Sequence, residues 1–383
     1  MVNYLRRTIT SLIKKLLPWT DGITKKIVAK RWPQKTITIY KSSLPICTED
    51  DLVRNGASGS EASLVYLSKY WTQAGYEVTI FSRCIDKAGN NREGIYGGIR
   101  HVDFRKINWY DHFSTLLICR NPSYCKSYVK ADRLWLEWQD VAYPEEYFVP
   151  KYLNIFDKVF AKSFFQKNLL PCVPDDKFVV IPNGYDSSIL TLQAQIREPH
   201  KLVYASRYYR GLESLLLYGW PIIHAAIPDA TLDLFYGFTK RDYQQGNTAW
   251  REHLEKLIAE SPGVTDWGLV GHKHLMQEKS KAAIQYYPCT YPEVDCVSVR
   301  ESSIVGCVPV TTDAFVFAEK GYCISVPGDP DDPETHRAIA RRVVELLKNP
   351  AELDKIRTET RAIAQAETWE NIAQRWTQYL PPL

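Results

Sequence analysis

The sequence predicts an α/β protein made of two Rossmann-like, doubly wound halves that face a cleft. Three observations predict it. The chain has 383 residues, enough to bury two cores. Residues 36–81 alternate strand, polar loop, helix, glycine and strand, which is a βαβ unit. A second alternating series begins at Lys201, joined to the first near Ile181–Glu198.

Residues 1–35 form a segment of their own. Its many lysines and arginines face a single acid, Asp21, and Leu5, Ile9, Leu12, Ile13, Leu16 and Leu17 follow a helical stripe. A basic amphipathic helix of this kind suits the surface of an anionic membrane, or docks on its own protein by the apolar face. TITIYKS, residues 36–42, reads as the first buried strand. Ser58 and Glu61 then fit an S-x-x-E capping box, Leu64, Leu67, Trp71 and Ala74 keep the helical period, and Gly75 is placed to end the helix. Tyr76–Phe81 is the next strand, followed by the strands in HFSTLLICR, LWLEWQD, KVFAKS and KFVVIPNG. In the second series LVYASRYYRGLESLLLYG reads as strand, basic turn and helix. ATLDLFYG and KAAIQYYP are strands, and VTDWGLVG is a loop with a short strand. The last helix carries Trp369, Ile372, Trp376, Tyr379 and Leu380 on one stripe. The expected division is therefore an extension over 1–35, an N-terminal half over 36–190 and a C-terminal half over 191–367.

Composition excludes several classes. Hydrophobic content is 45% and charged content 24%, ordinary for a globular protein. A net charge of +4 does not mark a nucleic-acid binder. No apolar run is long enough for a membrane span, and the start lacks a signal-peptide core. Nine cysteines, an odd number with no C-x-x-C, read as reduced cysteines of a cytoplasmic protein. His272 and His274 stand without a cluster of further ligands, so no metal site is expected.

The candidate site lies in Tyr291–Asp313, YPEVDCVSVRESSIVGCVPVTTD. Glu293 and Glu301 flank a loop-to-helix junction that includes Cys296 and Val297. Eight helical steps would span about 12 Å, the scale of a nucleoside diphosphate sugar from ribose to hexose. One carboxylate suits ribose hydroxyls and the other sugar hydroxyls. The helix N-terminus between them suits a diphosphate, because free amides and the dipole favour anions.

This string resembles the E-x7-E region of retaining glycosyltransferases of the GT-B fold, family 4. Pro292, Glu293, Cys296, Glu301, Gly306, Pro309 and Val310 match, whereas Asp295 replaces an aromatic and Ser302 an alanine. The resemblance runs from about residue 36 to the end. GSEASLVYLSKYWTQAGYEVTIF is similar to the family's G-G-x-E helix start with only Gly59 kept, and VVIPNGYD is similar to its V-I-P-N-G-x-D. The resemblance implies that Gly59 approaches a phosphate and that Arg207 and Arg210 of SRYYRG bind the donor diphosphate. It further implies that the backbone near Leu269 and Val270 meets the base, and that helix 368–383 crosses back to the N-terminal half. Gln139 stands where the family often has a histidine.

The resemblance implies a metal-independent enzyme that moves a hexose from a UDP- or GDP-sugar to a hydroxyl of a glycan or glycolipid. Glu293 would hold the sugar, Glu301 the ribose, and Arg210 would offset charge on the leaving diphosphate; no cofactor is needed. The expected setting is cytoplasmic, with peripheral contact to the inner face of a membrane through residues 1–35. Two alternatives remain open on the sequence: a weakly catalytic partner subunit that binds nucleotide sugars, and another GT-B enzyme such as a phosphorylase.

Overall fold

The computed structural model describes residues 21–45, 47–55, 59–86, 89–142, 145–191, 196–239, 242–244 and 246–382. The apolar stripe Leu5–Leu17 and the cap residue Ser58 lie outside them. Two sheets organise the chain. The first has eight strands: β1 (Thr36–Pro45), β2 (Glu77–Arg83), β3 (Gly94–Tyr96), β4 (Ile99–Asp103), β5 (His112–Cys119), β6 (Lys130–Glu137), β7 (Lys158–Ala161) and β8 (Phe178–Val180). Their order is β3-β4-β2-β1-β5-β6-β7-β8, parallel except for β3. The second sheet holds β9 (Glu198–Ala205), β10 (Thr231–Phe235), β11 (Val264–Gly268), β12 (Ala282–Tyr287), β13 (Val308–Thr312) and β14 (Ile324–Val326). Its order is β11-β10-β9-β12-β13-β14, and every pairing is parallel.

Strand order reverses at β1/β5 in the first sheet and at β9/β12 in the second. In open parallel sheets ligands bind outside the carboxyl ends of the strands at such reversals, because the flanking loops part there. The segments leaving β9 and β12 are Ser206–Gly211 and Pro288–Glu293, so the fold itself brings the two arginines and the first glutamate to one place.

The expected βαβ unit is present. Leu64, Leu67 and Trp71 of the Gly59–Gln73 helix are buried in one core with Ile37, Ile39, Val78 and Ile80. Gly75 ends the helix at φ +99°, and the Tyr76 amide returns to the Trp71 carbonyl at 3.0 Å. The last helix, Trp369–Thr377, joins this same core through Trp369, Ile372 and Trp376. Trp376 stacks on Phe160 with ring centroids 3.7 Å apart. The crossing depends on Gly184. A Cβ there would stand 2.7 Å from the Trp369 backbone, where the Trp369 amide donates to the Tyr185 carbonyl at 3.0 Å.

Part of the basic extension is built into the first half. The Trp32 indole donates to Asp111 at 2.9 Å, and its ring stacks on Phe113. Arg31 pairs with Asp132 at 3.0 Å. These two residues are therefore anchored to the protein, whatever residues 1–20 do. All nine cysteines are free, and six are buried. Among the described residues no helix is long and apolar enough to cross a membrane.

Candidate functional site

Arg207 and Arg210 leave the end of β9 in a single 3-10 turn, Tyr208–Arg210. Gly211 follows with φ +114°, and a Cβ on it would stand 2.3 Å from the Pro288 carbonyl oxygen beyond β12. Only glycine lets the two strand ends approach this closely, which explains the R-G pair. Arg210 forms an ion pair with Glu293 and lies 4.3 Å over the Tyr291 ring. The Tyr287 hydroxyl donates to the same Glu293 oxygen at 3.1 Å. Burial works against the Arg210 charge, but the Glu293 carboxylate outweighs it and holds the guanidinium above its ordinary pKa. Arg207 is placed differently. Its guanidinium donates to the Tyr236 hydroxyl at 2.9 Å and to Tyr209 at 3.4 Å. Among the described residues no carboxylate pairs with it, so its charge is available to an anion.

Glu293 sits in the loop and Glu301 inside the Val297–Ile304 helix, as the junction reading expects. The loop takes up the first steps between them, so the interval is not one continuous helix. Glu301 accepts from His272 Nε2 at 2.8 Å and from Lys279 at 3.4 Å. Burial opposes its charge, yet the two cations win and hold the carboxyl down to about 2. The same charge raises the His272 imidazole above its ordinary value. Sequence reasoning missed His272 and Lys279, and no spacing signal links them to a glutamate 29 and 22 positions away.

The remaining predicted residues divide into two groups. Gly59 and Val297 come together across the halves: a Cβ on Gly59 would lie 3.5 Å from Val297 Cγ2 and 4.0 Å from Asn183 Nδ2. Two helix starts, one from each half, thus meet at the cleft. Cys296 is buried in the core of the second half, where burial raises its thiol pKa and the Glu293 charge adds to the rise. Leu269 is 83% exposed, whereas Val270 is half-buried against the core cluster of Val203, Ala205 and Phe235.

Two of the departures from the family pattern, Asp295 and Gln139, have structural reasons. Asp295 is an anchor. Its carboxylate accepts from the Asn183 backbone amide at 2.8 Å and from Arg300 at 2.6 Å, and pairs with Lys320 at 3.3 Å. Arg300 reaches on to Glu367 at 2.6 Å, just before the crossing helix. Gln139 serves a buried network rather than the cleft. It donates to Glu137, which also accepts from Ser63 at 2.7 Å and Lys162 at 3.0 Å. Burial disfavours the Glu137 charge, but Lys162 and Lys41 hold its carboxyl at about 2. Lys41 donates to the Ser60 carbonyl at 2.7 Å and so ties the first turn of the Gly59–Gln73 helix to the end of β1. The neighbouring Asp140 pairs with Arg120 and acts electrostatically on Tyr291 of the other half.

No family model matches the chain, and no curated protein matches it. Solved structures do. The sucrose-phosphate synthase from Thermosynechococcus elongatus is 16% identical with a TM-score of 0.65, over 90% of this chain and 97% of that one. The trehalose-6-phosphate synthase OtsA is 12% identical with a TM-score of 0.69, over 91% of this chain and 99% of that one. Anabaena HepE, solved in complex with UDP-glucose, is 14% identical with a TM-score of 0.60, over 90% and 99%. At these identities the likeness shows the fold, which is the two-sheet GT-B fold expected.

Proposed function

We propose that the chain is a retaining, metal-independent glycosyltransferase that moves a hexose from a UDP- or GDP-sugar to a hydroxyl of a glycan or glycolipid. One observation carries this reading. At the strand-order reversal of the second sheet, Arg207, Arg210 and the helix start at Val297 converge between two carboxylates, Glu293 and Glu301. Arg207 and the helix amides suit the diphosphate, by charge-assisted hydrogen bonds and the dipole. A phosphate oxygen that competes for Arg210 releases Glu293, whose carboxylate then accepts sugar hydroxyls and orients the anomeric carbon. Charge developing on the leaving diphosphate falls on the two arginines, which is electrostatic stabilisation in a partly buried site. Glu301, held ionised by His272 and Lys279, is placed for ribose. Among the described residues no side chain in the cleft stands out as a covalent nucleophile; the leaving phosphate itself takes the proton of the acceptor hydroxyl. The UDP-glucose complex of HepE supports a UDP-sugar as the donor.

The test is a thermal-shift screen with UDP-, GDP- and ADP-sugars, since ligands of the native state raise apparent stability. The donor that stabilises the chain is then incubated with glycan and glycolipid acceptors, with and without EDTA. Transfer with retained anomeric configuration, unaffected by EDTA, is the expected result. Stabilisation without transfer or hydrolysis would favour the partner-subunit reading instead. Residues 1–35 would give peripheral membrane contact, at about 1 kcal/mol for each Lys or Arg near an anionic surface. Liposome co-sedimentation with and without this segment tests it.

A further inference from the structure

A second cavity lies in the first half, away from the cleft. It sits between the outer face of the Gly59–Gln73 helix and the strands β2 and β4, with a volume of about 200 Å³. That is room for a ligand of about the size of one pyranose ring. Its floor is apolar: Val65 from the helix, Ile80 from β2 and Ile99 from β4. Lys69, at one end, stands ten residues along the helix from Gly59, or roughly 15 Å at 1.5 Å per residue. None of Gly59, Arg207, Arg210, Glu293 and Glu301 lines the cavity.

One wall is His101 of β4. The residue is 3% exposed, and its Nδ1 is buried with no hydrogen-bond partner among the described residues. Burial, with help from Arg92, pushes its pKa down to about 4, so the ring is neutral at pH 7. A neutral imidazole carries one donor and one acceptor. Leaving one of them unused in a buried site costs free energy that a bound polar group recovers. A hydroxyl both donates and accepts, so it matches this wall. The Tyr96 ring stands edge-on to His101 with centroids 5.6 Å apart, and gives an aromatic surface for a C–H face. At the rim, Glu49 and Asp50 add carboxylate acceptors. The rim cation, Lys69, is already paired with Glu49 at 2.6 Å. Charge at the rim thus disfavours a phosphate or a carboxylate and admits a neutral ligand.

We propose that this cavity, lined by His101, Tyr96, Glu49 and Asp50 over an apolar floor, binds one neutral, hydroxyl-rich monosaccharide unit. The site is independent of the transferase reading, because none of its residues is in the cleft.

The experiment is saturation-transfer NMR on the full chain with glucose, galactose, mannose and N-acetylglucosamine, each measured with and without excess UDP. At least one sugar should bind with UDP present. His101→Phe keeps the ring volume and removes both nitrogens, and Tyr96→Ala removes the aromatic wall at a half-exposed position. Each should weaken that binding at least tenfold. Glu293→Gln in the cleft should leave it unchanged. Circular dichroism and the thermal midpoint check folding, and Asp50→Ala at the exposed rim replaces His101→Phe if that variant fails to fold. Binding of no sugar overturns the proposal, as does binding that survives all of these cavity variants. Loss of binding with UDP or in Glu293→Gln also overturns it, because the sugar would then occupy the cleft.

Discussion

Replacing Asp295 with alanine tests what holds the two halves in register. The carboxylate is fully buried and serves three donors: the Asn183 amide at 2.8 Å, Arg300 at 2.6 Å and Lys320 at 3.3 Å. Its removal leaves Arg300, whose side chain is 0% exposed, with Glu367 as its remaining ion-pair partner, and leaves the Asn183 amide unpaired. Breaking one side of a buried ion pair costs about 3–5 kcal/mol. At about 2–4 °C per kcal/mol this lowers the thermal midpoint by roughly 6–20 °C. Burial opposes the Asp295 charge, but Arg300 and Lys320 outweigh it and depress the pKa. A depressed carboxyl contributes stability that is present above its unfolded pKa and lost as pH falls through the folded one. The destabilisation should therefore be full at pH 7 and shrink toward strongly acid pH. The assay is urea unfolding of wild type, Asp295→Ala, Arg300→Leu and the double variant. The double variant should be less destabilised than the two single losses added, by at least about 2 kcal/mol, because the charges are removed together. A loss below about 1 kcal/mol in Asp295→Ala, or strict additivity, would refute the anchor.

Three further outcomes follow from the site. Glu293→Gln frees Arg210, so nucleoside diphosphate affinity should rise by about tenfold, the lower end of the worth of a hydrogen bond to a charged group, while turnover falls; weakened binding would contradict the observed pair. NMR titration should place the His272 imidazole pKa above 6.5, and Glu301→Gln should lower it, because burial and Lys279 then act unopposed by that carboxylate. Its contribution to stability is then full below about pH 6.5 and fades as pH rises through the folded pKa; no response to Glu301→Gln would sink the pairing. The Glu319 carboxylate accepts from the Phe164 and Phe165 amides of the other half at 2.9 and 2.6 Å. Hydrogen exchange at these two amides should quicken about tenfold in Glu319→Ala, and unchanged protection would mean the halves are not joined there.

Much of the fold was legible because it rests on local patterns. Leu64, Leu67 and Trp71 repeat at helical spacing, and Gly75 has the left-handed φ that a helix end requires. The last helix was legible by its Trp369–Trp376 stripe, and its crossing only through the resemblance to the GT-B family. The β3–β4 hairpin was not legible, since a three-residue strand beside Gly97 and Gly98 has no period to read. Within the site, the loop position of Glu293 and the helical position of Glu301 were legible. Their partners were not. Arg210 with Glu293, His272 with Glu301, and Asp295 with Asn183 and Lys320 all depend on which strand ends and loops lie side by side. Gln139 and Asp295 read only as departures from the motif, because substitution at a motif position gives no view of Glu137 or Arg300 through space.

The most direct test is calorimetric titration of UDP and GDP into the wild-type chain and Arg207→Ala. Arg207 is the arginine that no carboxylate holds among the described residues. At least one nucleoside diphosphate should bind the wild type, and Arg207→Ala should weaken it by about 1.5–3 kcal/mol, the worth of a hydrogen bond to a charged group. That is roughly 10- to 150-fold. A cleft that binds neither nucleotide, or binds them equally well without Arg207, would contradict the placement of a nucleotide-sugar diphosphate between the two carboxylates.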